Sequence, residues 1–185
     1  MSNLTRRRFL AAATAPIALT ACTNGVGFDG AARIDGRVAE ATAFMYDALP
    51  DTRDLAARAA GVLVMPVVTE AGFGLGAAYG RGALIVNGVT VDYYSASSAS
   101  IGLQVGGQQY SSALFFMTEP ALRAFRTSPG YVAGADLRYA VAANAGALTT
   151  DTTELTSPVI AVIFGQAGLI AGASLEGTKY TRIIP

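Results

Sequence analysis

Glycine alternates with larger residues in the stretch from Ala71 to Val86, which reads AGFGLGAAYGRGALIV. Successive side chains of a β-strand point to opposite faces, so Gly72, Gly74 and Gly76 share one face of such a strand. A strand face without side chains lets another backbone, an aromatic ring or a ligand approach closely, or it lets the strand bend. The run therefore predicts a strand that is packed tightly or strongly curved.

Strand signals continue on both sides of this run. The pair Asn87-Gly88, between ALIV and VTVDYY, predicts a two-residue hairpin turn. Other short strands are predicted at Val62–Met65 (stopped by Pro66), Ile101–Val105 and Ser111–Thr118, two or three between Tyr131 and Ala143, and two between Pro158 and Gly177. Because most of these segments are joined by short turns, the sheet should be mainly antiparallel.

Three helices are predicted around this sheet. The first runs from Ala31 to about Leu49, and its apolar stripe consists of Ile34, Val38, Ala41, Met45 and Leu49. Pro50 ends it, and Asp51 or Thr52 is expected to cap a second helix through about Ala60. Glu119 to Arg126 predicts a short third helix with a proline in its first turn. The predicted fold is one α+β domain with a mainly antiparallel, strongly curved or partly closed sheet.

The segment before the domain has the features of an export signal. Three arginines precede an uncharged run from Phe9 to Ala21, which is shorter than the roughly 20 residues of a spanning helix and contains a proline. The arginines lie in Thr5–Leu10 (TRRRFL), which resembles a twin-arginine signal read through Arg6 and Arg7. Residues 1–21 are therefore predicted to be a signal peptide.

The only cysteine of the chain follows this segment directly. Leu19-Thr20-Ala21-Cys22 resembles a lipobox, in which the chain is cut before the cysteine and the thiol is acylated. Two or three acyl chains, palmitate among them, would hold the protein almost irreversibly, because each buried methylene contributes about 0.8 kcal/mol. Residues 22–30 are predicted to be a lipidated tether and residues 31–185 the folded domain. Thr23 after the cysteine favours the outer membrane, with the domain facing the periplasm.

Composition excludes several classes of function. Charged residues make up only 14% of the chain against 52% hydrophobic residues, and basic and acidic residues are equal at 13 each. Removal of residues 1–21 takes away three basic and no acidic residues, so nucleic acid binding is not expected. The chain has no histidine and no thiol beyond Cys22, which excludes histidine-dependent triads. No motif predicts an enzyme, a metal site or a bound cofactor.

Four ordered blocks resemble the SYLF domain family. They are Ala60–Pro66, Ala71–Gly76 with Gly80 and Gly82, Ile101–Gln108, and Gly168–Gly177. The resemblance covers about Ala31 to Arg182. It implies a non-catalytic phospholipid-binding module, since members of the family bind phospholipids. Eukaryotic members bind phosphoinositides, partly through an N-terminal amphipathic helix, and some associate with actin.

The candidate lipid-binding residues follow from the helix and the arginines. We hypothesise that the first helix lies at the membrane surface, with Arg33 and Arg37 near phosphates and Phe44 in the acyl boundary. The alternative is that Phe44 packs under a neighbouring loop and both arginines are simply solvated. Arg53, Arg58 and Arg81 are the other candidate contacts with a head group, beside a glycine-lined face that would admit an acyl chain. Surface binding and binding of one phospholipid in a pocket both remain open.

The predicted function is thus a membrane-anchored periplasmic phospholipid-binding protein. A different class of answer is an envelope structural or interaction lipoprotein, whose only lipid contact is the acyl group on Cys22 and whose apolar sheet pairs with an unknown envelope protein. Binding of free phospholipid by a protein without the anchor distinguishes the two.

Overall fold

The computed structural model describes residues 29–134, 138–141, 157–168 and 175–185. The predicted signal segment with Arg6 and Arg7, and the lipidation site Cys22, lie outside these ranges. The elements in chain order are α1 (Asp29–Ala48), α2 (Thr52–Arg58), β1 (Gly61–Val86), β2 (Val89–Phe116), α3 (Glu119–Thr127), β3 (Tyr131–Val132), β4 (Arg138–Val141), β5 (Val159–Gly168) and β6 (Lys179–Ile183).

The described strands form one sheet in the order β3-β6-β2-β5-β4, with β1 also paired to β2. Every pair is antiparallel except β4 with β5, which is parallel. The sheet curls into a half-barrel, and the three helices lie where the sequence predicted them. The predicted α+β class with a mainly antiparallel, strongly curved sheet is confirmed.

Three details differ from the sequence predictions. β1 continues through Pro66 instead of stopping there; the ladder is irregular between Met65 and Val68, which accommodates a residue without an N–H. Asp51 occupies the N-cap position of α2 but makes no side-chain cap, and Thr52 Oγ1 instead donates to the carbonyl of Leu49 at 2.6 Å. The last described strand, β6, was not predicted. Most of the predicted strand GLIAGASLEG lies outside the described residues.

β1 and β2 form a single long hairpin whose turn is Asn87-Gly88, as predicted. Both turn residues have positive φ, 52° and 76°, which the favoured two-residue hairpin turn requires. The hairpin has two arms: the first arm is residues 61–71 with 107–116, and the second arm is residues 75–86 with 89–101. Between the arms, Phe73 pairs with Val105 but Leu75 pairs with Ile101, so β2 carries extra residues that bend the ladder.

The bend brings the two arms of β1 into contact with each other. A methyl group on Gly80 would lie 2.7 Å from the carbonyl oxygen of Val67. One on Gly82 would overlap the carbonyl oxygen of Val64 and lie 2.6 Å from Met65 Sδ. In a straight strand, positions 64 and 82 would be about 60 Å apart. The neighbour that the glycine-rich run admits at Gly80 and Gly82 is therefore the backbone of the same strand.

The inner face of the curled sheet holds the larger apolar cluster. Phe125 of α3 lies at its centre, with ring centroids of Phe116 and Tyr94 both at 4.7 Å and Tyr131 at 5.1 Å. Residues from both arms of the hairpin join this cluster, among them Leu63, Met65, Ala78, Leu84 and Leu114. α3 therefore closes the inside of the curl.

The opposite face of the sheet is covered by α1. The predicted stripe is confirmed, because Ile34, Val38 and Met45 are buried on α1 and Leu49 just after it. They pack with Val64, Ala83, Ala113, Phe115, Ile160, Val162 and Phe164. Because the stripe is buried, the other side of α1 faces outward, and that side carries the charged residues.

Gly82→Ala should lower the free energy of unfolding by about 1–3 kcal/mol, because the added methyl group would overlap the backbone carbonyl group of Val64. The matched control is Gly36→Ala at an exposed position of α1, where a methyl group meets nothing within 4 Å. That control should stabilise the protein by roughly 0.5–1 kcal/mol. Urea unfolding of both variants tests the close contact between the two arms of β1. A neutral effect of Gly82→Ala would contradict this contact.

Candidate lipid-facing surface

The outward side of α1 carries two of the predicted contact residues. Arg33 and Arg37 are both exposed, and at a spacing of four they are neighbours on the helix surface. Within the described ranges, no hydrogen bond or ion pair engages either side chain. Their guanidinium groups are thus available to an anion.

A polar clamp fixes the orientation of this helix. Asp35 of α1 accepts hydrogen bonds from Tyr93 Oη at 2.9 Å and from Thr90 Oγ1 at 3.0 Å, both on β2. Burial raises the pKa of the Tyr93 phenol, and the Asp35 carboxylate raises it further, so the phenol remains a donor. The first turns of α1 are therefore held beside the hairpin turn at Asn87-Gly88.

Phe44 is partly packed against the sheet and partly exposed. The residue is 54% exposed, and its ring stacks on that of Phe164 with centroids 6.4 Å apart and planes inclined by 24°. Its ring also borders Gly165, where a methyl group would lie 3.6 Å from Phe44 Cε1. The ring packs on strand β5 rather than under a loop, and about half of its surface remains open.

The other three predicted arginines are exposed and engaged locally. Arg53 lies over the ring of Tyr46 at 4.9 Å, which joins α2 to α1. Arg58 Nε donates to the carbonyl of Asp54 within α2 at 3.1 Å.

Arg81 lies on the second arm of the hairpin, where its Nε donates to Tyr79 Oη at 2.9 Å. The six predicted residues therefore lie on three elements: Arg33, Arg37 and Phe44 on α1, Arg53 and Arg58 on α2, and Arg81 on β1.

The start of α1 lies beside the end of β6. A methyl group on Gly30 would lie 2.8 Å from the carbonyl carbon of Pro185. Ile184 is 85% exposed, and Val89 and Val91 beside the clamped hairpin turn are also exposed. We call Arg33, Val89, Val91 and Ile184 the α1-start surface. It mixes apolar and cationic side chains at the end of the domain where the preceding chain enters.

A buried carboxylate with two arginines lies near the same end. Arg126 Nε of α3 is 2.9 Å from Asp92 Oδ2, and Arg182 Nη2 of β6 is 2.6 Å from Asp92 Oδ1. The Asp92 side chain is 1% exposed, whereas those of Arg126 and Arg182 are 43% and 65% exposed. The group therefore hides its negative charge and presents its positive charges to solvent.

Tyr94 lies next to this group on β2, directly opposite Arg182 in the ladder. Burial raises the pKa of its phenol, the Asp92 charge adds to this, and the Arg182 and Arg126 charges oppose it. The Tyr94 hydroxyl is buried and has no hydrogen-bond partner among the described residues. The Tyr94 hydroxyl is thus an unused hydrogen-bond donor, close enough to both guanidinium groups for their charges to lower its pKa.

Sequence reasoning missed the Asp92 group, although one signal was present. In VTVDYY, Asp92 is two residues before buried Tyr94 and on the same strand face, where a charge needs a partner. The pattern does not identify the partners, because Arg126 and Arg182 come from other elements that only the fold brings together.

A second polar group lies at the far end of the inner face. Gln108 Nε2 donates to Glu70 Oε2 at 2.7 Å across the first arm of the hairpin. Burial raises the pKa of Tyr110 to about 12, and the Glu70 carboxylate contributes to the rise. The phenol is therefore protonated and neutral at physiological pH.

The described ranges contain no cluster of acidic or thiol side chains suited to a metal ion. Among the same residues, no helix has both the length and the apolar character needed to cross a bilayer.

The Asp92 group should respond non-additively to loss of its arginines. Arg126→Gln or Arg182→Gln alone should lower the free energy of unfolding by about 0.5–1 kcal/mol, because the other arginine still pairs with the carboxylate. Together they leave a buried charge unpaired and should cost about 2–4 kcal/mol. A double-mutant cycle in urea measures this coupling. Adding Asp92→Asn to the double variant should restore most of the loss, and strictly additive effects would contradict the assignment.

Comparison with known proteins finds one family. Residues 97–182 match the family model described as Ysc84, Las17-binding protein actin regulator. The match supports the SYLF resemblance, and it includes the block Ile101–Gln108 and the strand that carries Arg182. No curated protein matches the chain.

Proposed function

We propose that the mature protein is a non-catalytic phospholipid-binding lipoprotein of the bacterial cell envelope, anchored through Cys22 and facing the periplasm from the outer membrane. The family match is consistent with lipid binding. The export signal read through Arg6 and Arg7 and the acylated cysteine rest on the sequence motifs.

The observation that carries the proposal is the composition and place of the α1-start surface. Six residues separate Cys22 from Asp29, the first residue of α1, so the anchor lies seven residue steps, or at most about 25 Å, from the helix start. Exposed Arg33 and Ile184 lie at that start, and Arg37 follows one turn later. An anchored domain therefore presents cations and apolar side chains to the lipid head groups.

The expected strength of this contact is modest. A Lys or Arg near an anionic membrane surface contributes about 1 kcal/mol. A few arginines thus give roughly 3 kcal/mol, which corresponds to binding weaker than about 1 mM for a free protein. The anchor compensates by raising the effective concentration of the domain at the surface.

Phe44 extends the contact along α1. It lies 11 residues after Arg33, which places it only about 20° away around the helix and about 16 Å farther along the axis. A helix lying on the membrane would present Arg33, Arg37 and the open half of Phe44 together. Arg53, Arg58 and Arg81 are secondary candidates, because each is exposed but already engaged by its own neighbours.

The test is vesicle flotation of the mature chain from residue 22 with Cys22→Ser, which is the processed protein without its acyl group. At several millimolar lipid and low salt, vesicles containing phosphatidylglycerol should bind it, and pure phosphatidylcholine should bind it less. Arg33→Glu with Arg37→Glu should reduce the bound fraction severalfold, and Phe44→Ser should reduce it separately. Arg123→Glu, an exposed charge reversal on α3, is the control and should have the smallest effect.

Two results would count against the proposal. Unchanged binding of the Arg33, Arg37 and Phe44 variants would show that α1 is not the contact. Absence of any binding by the parent protein would remove the lipid-binding function and favour the alternative, an envelope interaction lipoprotein whose only lipid contact is its own anchor.

A further inference from the structure

Two guanidinium groups share one carboxylate in the Asp92 group. One arginine is enough to neutralise Asp92, because a single guanidinium group can pair with both oxygens of a carboxylate. Here Arg126 binds Oδ2 and Arg182 binds Oδ1, so the group carries one positive charge in excess. Because both guanidinium groups bind the buried Asp92 carboxylate, the position of this excess charge is fixed.

Most of the donor capacity of this pair is unused. A guanidinium group has five N–H donors in a rigid planar fork. The described contacts occupy Nε of Arg126 and Nη2 of Arg182, and within the described ranges neither side chain makes another hydrogen bond or ion pair. Both side chains are substantially exposed, so solvent or a ligand can reach this pair of arginines.

We propose that Arg126 and Arg182, held side by side by buried Asp92, form a binding site for a phosphate group. A tetrahedral phosphate accepts paired hydrogen bonds from guanidinium forks and supplies the negative charge that this group lacks. Asp92 is a positioning residue here, because it orients the two arginines without contacting the ligand.

The place of the pair in the fold favours the phosphate of a lipid head group. Arg182 is three residues before Pro185, so it lies within roughly 10 Å of it along the chain. Pro185 in turn contacts Gly30 at the start of α1, close to the predicted anchor. The site therefore lies near the end of the domain that the anchor would hold at the bilayer, on the face of the sheet opposite α1. It meets head groups when this end of the domain, rather than the length of α1, faces the membrane. This choice of ligand source rests on the proposed function, whereas the phosphate site itself rests on the geometry of the three side chains.

The experiment uses the mature chain from residue 22 with Cys22→Ser and two ligand arms. Calorimetric titration with sn-glycerol 3-phosphate and with inorganic phosphate at low ionic strength measures the site alone. Flotation with phosphatidylglycerol vesicles measures the site in a membrane. The variants are Arg126→Gln, Arg182→Gln and Arg182→Lys, and the control is Arg123→Gln on the exposed side of α3. Thermal unfolding of each variant verifies that it is folded.

We expect glycerol phosphate to bind in the millimolar range, with affinity at least fivefold lower in both glutamine variants. Arg123→Gln should lower it no more than about twofold, because Arg123 is one helical turn from Arg126 and contributes only its charge. Arg182→Lys should retain part of the affinity, because it keeps the charge and loses the fork. Vesicle binding should fall in the same order. Equal binding of the parent and both glutamine variants in both arms would overturn the site.

The two arms separate failure of the site from failure of the proposed function. Vesicle binding would leave the proposed function standing and overturn the phosphate site if neither it nor glycerol phosphate binding depends on Arg126 or Arg182. If only glycerol phosphate binding depends on them, the site stands and a lipid head group as its ligand is overturned. Arginine-dependent binding of glycerol phosphate without any vesicle binding would support a phosphate site and overturn the membrane function. Lack of binding in both arms would overturn both.

Discussion

The arms of the β1–β2 hairpin cross where Gly80 and Gly82 lie against the backbone of Val64 to Val68. Side chains at these two positions would hold the arms apart, because there is no room for even a methyl group on Gly82. The crossing encloses an inner face, which α3 fills with Leu122 and Phe125, and leaves an outer face for α1. The positions of both helices, and of the charged residues on them, thus depend on this contact.

Much of the architecture could be predicted from local sequence. The Asn87-Gly88 turn and the buried stripe of α1 depend on local backbone preference and on periodicity, and both were predicted correctly. Pro66 was misinterpreted because a proline ends a regular ladder but is tolerated at an irregular one. The alternating glycines predicted close approach or bending, but the sequence did not indicate that the approaching backbone belongs to the same strand.

The candidate site was less predictable for a physical reason. Arg33 and Arg37 could be placed on the outer face of α1, because the position of a helical residue follows from its spacing to the buried stripe. The Asp92 group joins β2, α3 and β6, and its partners are 34 and 90 residues away along the chain. A buried aspartate requires a cation, but local sequence does not specify which arginine supplies it. Pairings of this kind are determined by the fold.

The fold also makes the two ends of the domain different, and this difference matters for the proposed function. The clamp from Asp35 to Thr90 and Tyr93 fixes the start of α1 beside the hairpin turn, and Pro185 lies against Gly30. Cationic and apolar side chains therefore gather at one end of the domain, the end that follows Cys22 in the chain. A short tether at this end would make weak surface contacts effective, so the proposed binding needs no deep pocket.

The most direct test of this account is the depth of Ile184 in a membrane. Cys22 is the only cysteine, so the chain from residue 22 with Cys22→Ser and Ile184→Cys carries one thiol for an environment-sensitive fluorophore. Leu75→Cys provides the matched control, because Leu75 is also an exposed large apolar residue and lies about 36 Å along the strand from Val86. With phosphatidylglycerol vesicles, the account predicts a blue shift and quenching by lipid-borne quenchers at position 184 and neither at position 75. Quenching at position 75 alone, or at neither position while the protein is bound, would contradict it.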